Sequence, residues 1–422
     1  MSEPLEQDKT PEELLREKEL RLADAIALRI PDRVPVGCEL GYFVAHYAGI
    51  PCSAAYYDCE AWMQAYRKAL KDFQPDFAFV QPFVPGRALE LLEPRTMRWP
   101  GYGVDPYCGH QSIEVDGLRE DEYDFFLSKP ADYLVRVHLP RLYGGLKVLS
   151  LLPELEQILW LKPWAAQSLA LFVTDPEVEQ AFEQLREAGR ELRRYQDWAA
   201  QFEQLLRDHG IPNLYQGDMM PPYDVISHGL RGMKGTMLDM YRQPDKLLEA
   251  CELIYQLSIE RPLPPPNEFG QIRIFMTNTR GSDNFMSNAQ FEKFYWPTFY
   301  KTVMWLVQHG ATPCIFFEGN FDQKLEYLLE FPKGSILVRL DRTDIFRAKE
   351  ILGGHLCLEG NVPVTLLQAG TPEEVKEYCK RLIDVVGKDG GFILSPRSVT
   401  DKAKPENLKA MIEFTKEYGR YL

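Results

Sequence analysis

Chemically active side chains recur at four places late in the chain: Glu318-Gly319-Asn320, Asp341 two residues after Arg339, Glu359-Gly360-Asn361 and Pro396-Arg397-Ser398. Each follows an apolar run of the kind a buried parallel strand presents: Thr312–Glu318, Ser335–Leu340, His355–Glu359 and Gly391–Ser395. A carboxylate at the end of such a run is expensive to bury without a partner. Glu318 is therefore read as a proton donor to a leaving alkoxide or as a metal ligand. His355, Cys357 and Glu359 alternate and face one side, with Glu359 near Glu318 at the top and His355 about 13 Å lower. A zinc site from Glu318, His355 and a further carboxylate is chemically allowed. Asp341 lines a pocket or pairs with Arg339. Asn320 follows Glu318 at the same strand end. In the segment Thr279–Ser287, Arg280 and Asp283 are placed to reach a site, and Ser287 caps the next helix. Arg397 is placed to bind an anionic group.

These residues need elements that bring strand ends together. Helices start near Asp322, Thr343, Thr371 and Pro405, so strand and helix alternate, as parallel strands with crossover helices require. Active sites in such sheets and barrels lie beyond the carboxyl ends of the strands. Strands near 34, 77, 213, 271, 312, 335, 355 and 391 predict a (β/α)8 TIM barrel. A doubly wound open sheet is the alternative, but no GxGxxG follows the first strand. Thr10-Pro11-Glu12-Glu13 starts a helix running to about Leu28. Residues 1–30 thus form an N-terminal helical extension before a single barrel domain, 31–422. A second helix spans Ala54 to Phe73, and a strand follows at Phe77–Phe83. An insertion occupies about 95–210. Its first part, 95–115, reads as a loop and hairpin, either a lid or a packed surface excursion. Its remainder is helical, with a long charged helix from about Asp175 to Asp208.

The 422 residues carry a net charge of −14. That excludes a general nucleic-acid binder and disfavours an anionic membrane surface. The charged N-terminus is no signal peptide, and no apolar stretch is long enough for a transmembrane helix. A cytoplasmic protein is expected, with its 8 cysteines reduced and mostly buried.

Asp32-Arg33-Val34-Pro35-Val36, Gly232-Met233-Lys234-Gly235 with Asp239 and Pro244, Gly360-Asn361-Val362-Pro363, Gly370-Thr371-Pro372-Glu373-Glu374-Val375, Gly390–Ser395 and Pro405-Glu406-Asn407 together resemble the uroporphyrinogen decarboxylase superfamily. That group also contains corrinoid-dependent methyltransferases. The resemblance implies a TIM barrel. True decarboxylases carry arginines after the first strand that grip substrate carboxylates. Here Gly37–Tyr42 holds Glu39 and no arginine. Pro222–His228 resembles the decarboxylase segment that ends in a catalytic tyrosine, with His228 in that place and Tyr223 and Asp224 lining the pocket. The zinc signature of thiol-methylating members is replaced by Phe316-Phe317-Glu318-Gly319 and Pro396-Arg397-Ser398.

The resemblance therefore implies the demethylating branch, associated with anaerobic metabolism. Such an enzyme moves a methyl group from a small ether, amine or thioether to the cobalt of a corrinoid (cobalamin) on a partner protein. Glu318 and His228 would be catalytic. Zinc and a homodimer are compatible with this reading. A decarboxylase of a small carboxylic acid is the rival reading, with Arg397 and Arg280 as its cationic grip. No DxHxxG motif is present, so the chain is not expected to hold its own corrinoid.

Overall fold

The computed structural model describes residues 9–79, 85–154 and 166–421. The expected strand end at 80–83 lies outside them, and β2 is described as Phe77–Phe79. It pairs in parallel with β1 (Gly37–Glu39). A small excursion follows: β3 (Met97–Pro100), β4 (Gly103–Val104) and β5 (Gln111–Ser112), with β5 antiparallel to β3. Then come β6 (Gly217–Asp218), β7 (Arg273–Asn278), β8 (Thr312–Phe317), β9 (Leu337–Leu340), β10 (Cys357–Val362) and β11 (Phe392–Pro396). These six form one parallel sheet in the order β11-β10-β9-β8-β7-β6. Single parallel bridges, Val36 with Leu394 and Ala78 with Asn213, lie between the β1–β2 pair and the two edges of that sheet.

The strands form where buried apolar runs meet turn residues. On β8, β9 and β10, the side chains of Cys314, Leu337 and Cys357 face a common interior with Phe77, Tyr215 and Ile393. Alternate residues on the other face, such as Ile315, Val338 and Leu358, join the main core with the covering helices. Helix Pro372–Val385 starts with a Thr371–Glu374 capping box, and Ser287 makes another with Gln290.

The first helix, Pro11–Ile26, is nucleated by a Thr10–Glu13 capping box. Leu22, Ala25 and Ile26 close the amino-terminal end of the interior. Buried ion pairs hold the helix there. Arg273 Nη2 donates to both oxygens of Glu19 at 2.6 and 2.8 Å. Arg21 Nη1 and Arg33 Nη2 each reach Asp76 Oδ1 at 2.7 Å. Burial alone would raise Asp76, but Arg33 and Arg21 hold its carboxyl far below the usual range.

Helix Ala54–Phe73 is divided: Asp58 ends Ala54–Tyr57 and caps Cys59–Phe73. Within 119–209 the described residues are helical apart from short connections. They end in the 33-residue helix Pro176–Asp208. The 95–115 excursion packs on the loop after β1, where His110 Nδ1 and Tyr42 Oη are 3.0 Å apart.

His355 is a correction. β10 begins at Cys357, because Gly353 and Gly354 form a turn that carries His355 outside the strand. Its Nε2 lies 2.9 Å from the Phe331 carbonyl oxygen at the amino-terminal end of the sheet. Glu318 lies at the opposite end, so the two cannot share a metal ion.

Candidate functional site

Inside the strands lies a buried charge cluster. Arg339 on β9 sits between Glu39 at the end of β1 and Glu359 on β10. Its Nη atoms reach Glu39 Oε2 at 3.4 Å, and its Nε is 3.6 Å from Glu359 Oε1. Its guanidinium carbon stands 4.7 Å from the Phe316 ring centre. Arg339 is 4% and Glu359 1% exposed, so neither is hydrated in compensation. Two carboxylates face one guanidinium. Burial raises both carboxyl pKa values against the opposing pull of Arg339. Arg339 Nε and Glu359 Oε2 have no hydrogen-bond partner among the described residues. The Glu318 charge above adds to the upward push on Glu39.

A polar rim runs above this cluster across five strand ends. Glu318, exposed, accepts from Thr279 Oγ1 at 3.3 Å. Thr279 N and Arg280 N donate to the buried Asp224 at 3.2 and 2.9 Å, and Tyr295 Oη donates to it at 2.5 Å. Burial nevertheless pushes Asp224 up to about 6. Arg280 Nε donates to Ser227 Oγ at 3.0 Å, and its Nη2 lies 3.5 Å from His228 Nδ1. An arginine only donates, so Nδ1 accepts and Nε2 carries the hydrogen. Burial, then the Arg280 charge, push His228 down to about 4. The imidazole is neutral at pH 7, and its 3.8 Å approach to Asp224 is not an ion pair. Towards β11, Asp341 accepts from Gly319 N at 3.0 Å. Asn361 Nδ2 donates to Asp341 O at 3.3 Å, and Arg397 Nε to Asn361 O at 3.4 Å.

The structure thus places Glu318, Asp224, His228, Arg280, Asp341 and Arg397 along one rim, with Glu359 beneath. Three residues singled out in the sequence have local duties. Asp283 pairs with Lys324 at 2.5 Å. Asn320 Oδ1 closes a turn onto Asp322 N at 2.7 Å. Tyr223 is 2% exposed and packs against Tyr295 with ring centres 5.7 Å apart. Ser227, Thr279 and Tyr295 were not singled out.

A cavity of about 670 Å³ lies along β6 and β7, reaching Thr277, two residues before Thr279 of the rim. Its floor is Tyr215 and Phe275, with ring centres 4.9 Å apart, and Thr277 and Asp218 lie above. Trp62 of helix Cys59–Phe73 and Tyr195, Trp198 and Phe202 of helix Pro176–Asp208 wall it. The last three recur at helical spacing on one face of a charged helix, a signal present in the sequence. Among the described residues, no group of three His, Cys, Asp or Glu could hold a metal ion. Glu318 and His355, the ligands considered for zinc, stand at opposite ends of the sheet and form no such group.

Residues 217–418 match the family model for uroporphyrinogen decarboxylase (URO-D), which places that domain on β6 to β11 and their helices. Uroporphyrinogen decarboxylase of Methylococcus capsulatus is 31% identical over 116 residues, which is 27% of this chain and 32% of that protein. The enzyme of Chlorobium phaeovibrioides is 35% identical over 78 residues, 18% of this chain and 22% of that protein. The chain therefore spans about a third or less of these curated relatives. A solved structure, a methyltransferase from Methanosarcina mazei, superposes with a TM-score of 0.56 at 15% identity. It covers 95% of this chain and 98% of that one, and the likeness is one of fold. The resemblance read from the sequence is borne out over residues 217–418, the span the URO-D model matches. No helix among the described residues is long and apolar enough to cross a membrane.

Proposed function

We propose that this chain is a methyltransferase of the URO-D superfamily, moving a methyl group from a small methylated donor to a corrinoid carried by a separate protein. The eight strands β1, β2 and β6–β11 are read as one (β/α)8 ring, supported by the bridges at Val36–Leu394 and Ala78–Asn213. The observation that carries the function is the aromatic cavity beside a polar rim at the strands' carboxyl ends. Its described lining contains no Lys, Arg or His. A decarboxylase needs a cationic grip on the carboxylate its substrate retains. Arg280 and Arg397 stand on the rim, engaged with Ser227 and Asn361.

When bound, a reduced corrinoid supplies a strong two-electron nucleophile. The chain's own residues then have to hold the donor in line, exclude water and accommodate the leaving atom. The aromatic walls do the first two. His228, neutral at the rim with its Nε2 3.8 Å from Asp224, and Glu318, held by Thr279, are the groups we assign to meet a leaving heteroatom.

The test mixes purified protein with cob(I)alamin and a panel of methyl ethers, amines, sulfonium salts and thioethers. Loss of the Co(I) absorbance with at least one donor is expected. A silent panel, with carbon dioxide released from a small acid instead, would overturn the proposal.

A further inference from the structure

The cavity has a chemical bias that its volume alone does not convey. Six aromatic rings line it: Trp62, Tyr195, Trp198, Phe202, Tyr215 and Phe275. The only ionisable carboxylates among its described lining residues are Asp218 and Glu203, and that described lining holds no basic residue. Glu203 Oε1 already accepts from Asn213 Nδ2 at 2.8 Å, which fixes its position at the wall. Aromatic faces carry negative potential and attract cations that shed water easily. The two carboxylates of the lining add a field of the same sign. An anion would meet repulsion here, and a neutral ether would gain only from burial.

We infer that this cavity takes a methylated onium cation, a quaternary ammonium or tertiary sulfonium, as the methyl donor. The inference rests on the methyltransferase reading and narrows it. The chemistry balances without further groups. The C–N or C–S bond breaks, and its electron pair stays on nitrogen or sulfur. A neutral amine or thioether leaves, and the methyl group passes to the acceptor's two-electron nucleophile. No proton, oxidant or reductant is consumed. This suits a cavity whose only lining acids stand at its edge, Asp218 and Glu203 both being exposed residues. An ether donor would instead require a proton on its leaving alkoxide.

The test is calorimetric binding to the full chain of choline, of trimethylsulfonium and of 3,3-dimethylbutan-1-ol, which has choline's shape without its charge. At least one cation should bind about tenfold or more tightly than the neutral alcohol. Asp218→Asn and Trp198→Leu should each shrink that ratio, and Trp198→Phe should restore most of it. Preference for ammonium or for sulfonium names the donor atom. Equal or tighter binding of the alcohol, or no binding of either cation, overturns the inference on the unaltered protein. No corrinoid is needed, so onium binding without methyl transfer would leave the cation site standing and sink the methyltransferase reading, and the donor role with it. Transfer from ethers without onium binding would sink this inference alone.

Discussion

Arg339 is the residue on which the interior most depends. Among the described residues it is the cation paired with both Glu39 and Glu359, whose side chains are 11% and 1% exposed. Replacing it with methionine leaves two buried carboxylates unpaired and should cost about 3–5 kcal/mol in urea unfolding. The loss has a direction in pH. Both carboxyls are raised in the folded protein, so above about pH 4.3 the unfolded chain releases its protons first. Stability therefore falls as pH rises through the folded values, and Arg339→Met should fall more steeply as pH rises above about 4.3. His228 behaves oppositely. Its folded pKa is about 4, so its contribution is present above its unfolded value near 6.5 and is lost as pH falls towards 4. In the activity profile of the free enzyme, no inflection near 6.5 should disappear in His228→Gln. If one does, the imidazole is not the neutral donor described here.

Legibility at this scale followed strand periodicity. Glu318, Asp341 and Arg397 could be placed because each ends an apolar run. Asp224 could be suspected only by resemblance. Its partners Thr279 and Tyr295 come from a loop and a helix that no spacing connects to it. His355 was misplaced because the strand was started two residues before Cys357, where the chain is still in the turn that begins at Gly353.

Among the elements, the first helix has the clearest structural duty. Its Arg21 shares Asp76 with Arg33, and Asp76 also accepts from Val36 N at 2.8 Å, next to the start of β1. Asp76→Ala strips two buried arginines of their carboxylate and should cost about 3–5 kcal/mol, read from the urea midpoint at pH 7. Because Asp76 is lowered in the folded state, its contribution exists above about pH 3.9 and fades only in stronger acid. The variant should therefore lose less than the parent on acidification below pH 4. An unchanged midpoint would mean that the helix closes the interior by apolar packing alone. The helix itself was legible from Thr10-Pro11-Glu12-Glu13. Its buried pairs were not, since Glu19–Arg273 spans 254 residues of chain. Likewise β8 to β11 were legible as apolar runs. β1, β2 and β6, described over three residues or fewer, gave a weaker signal.

For the whole molecule, the cavity is the feature that sequence reading could not assemble. Trp62, Trp198 and Phe275 come from three distant segments and meet only because helix Pro176–Asp208 packs beside helix Cys59–Phe73 and faces residues 213–220. Residues 217–418 match the URO-D family model, and the fold is shared with a methyltransferase from Methanosarcina mazei. The direct measurement is a single turnover with a trideuteromethyl donor and a reduced corrinoid protein, followed by mass spectrometry of the corrinoid. The label should arrive intact, with all three deuterons, and only when this chain is present. Label remaining on the donor, or a corrinoid methylated equally well without the chain, would contradict the account.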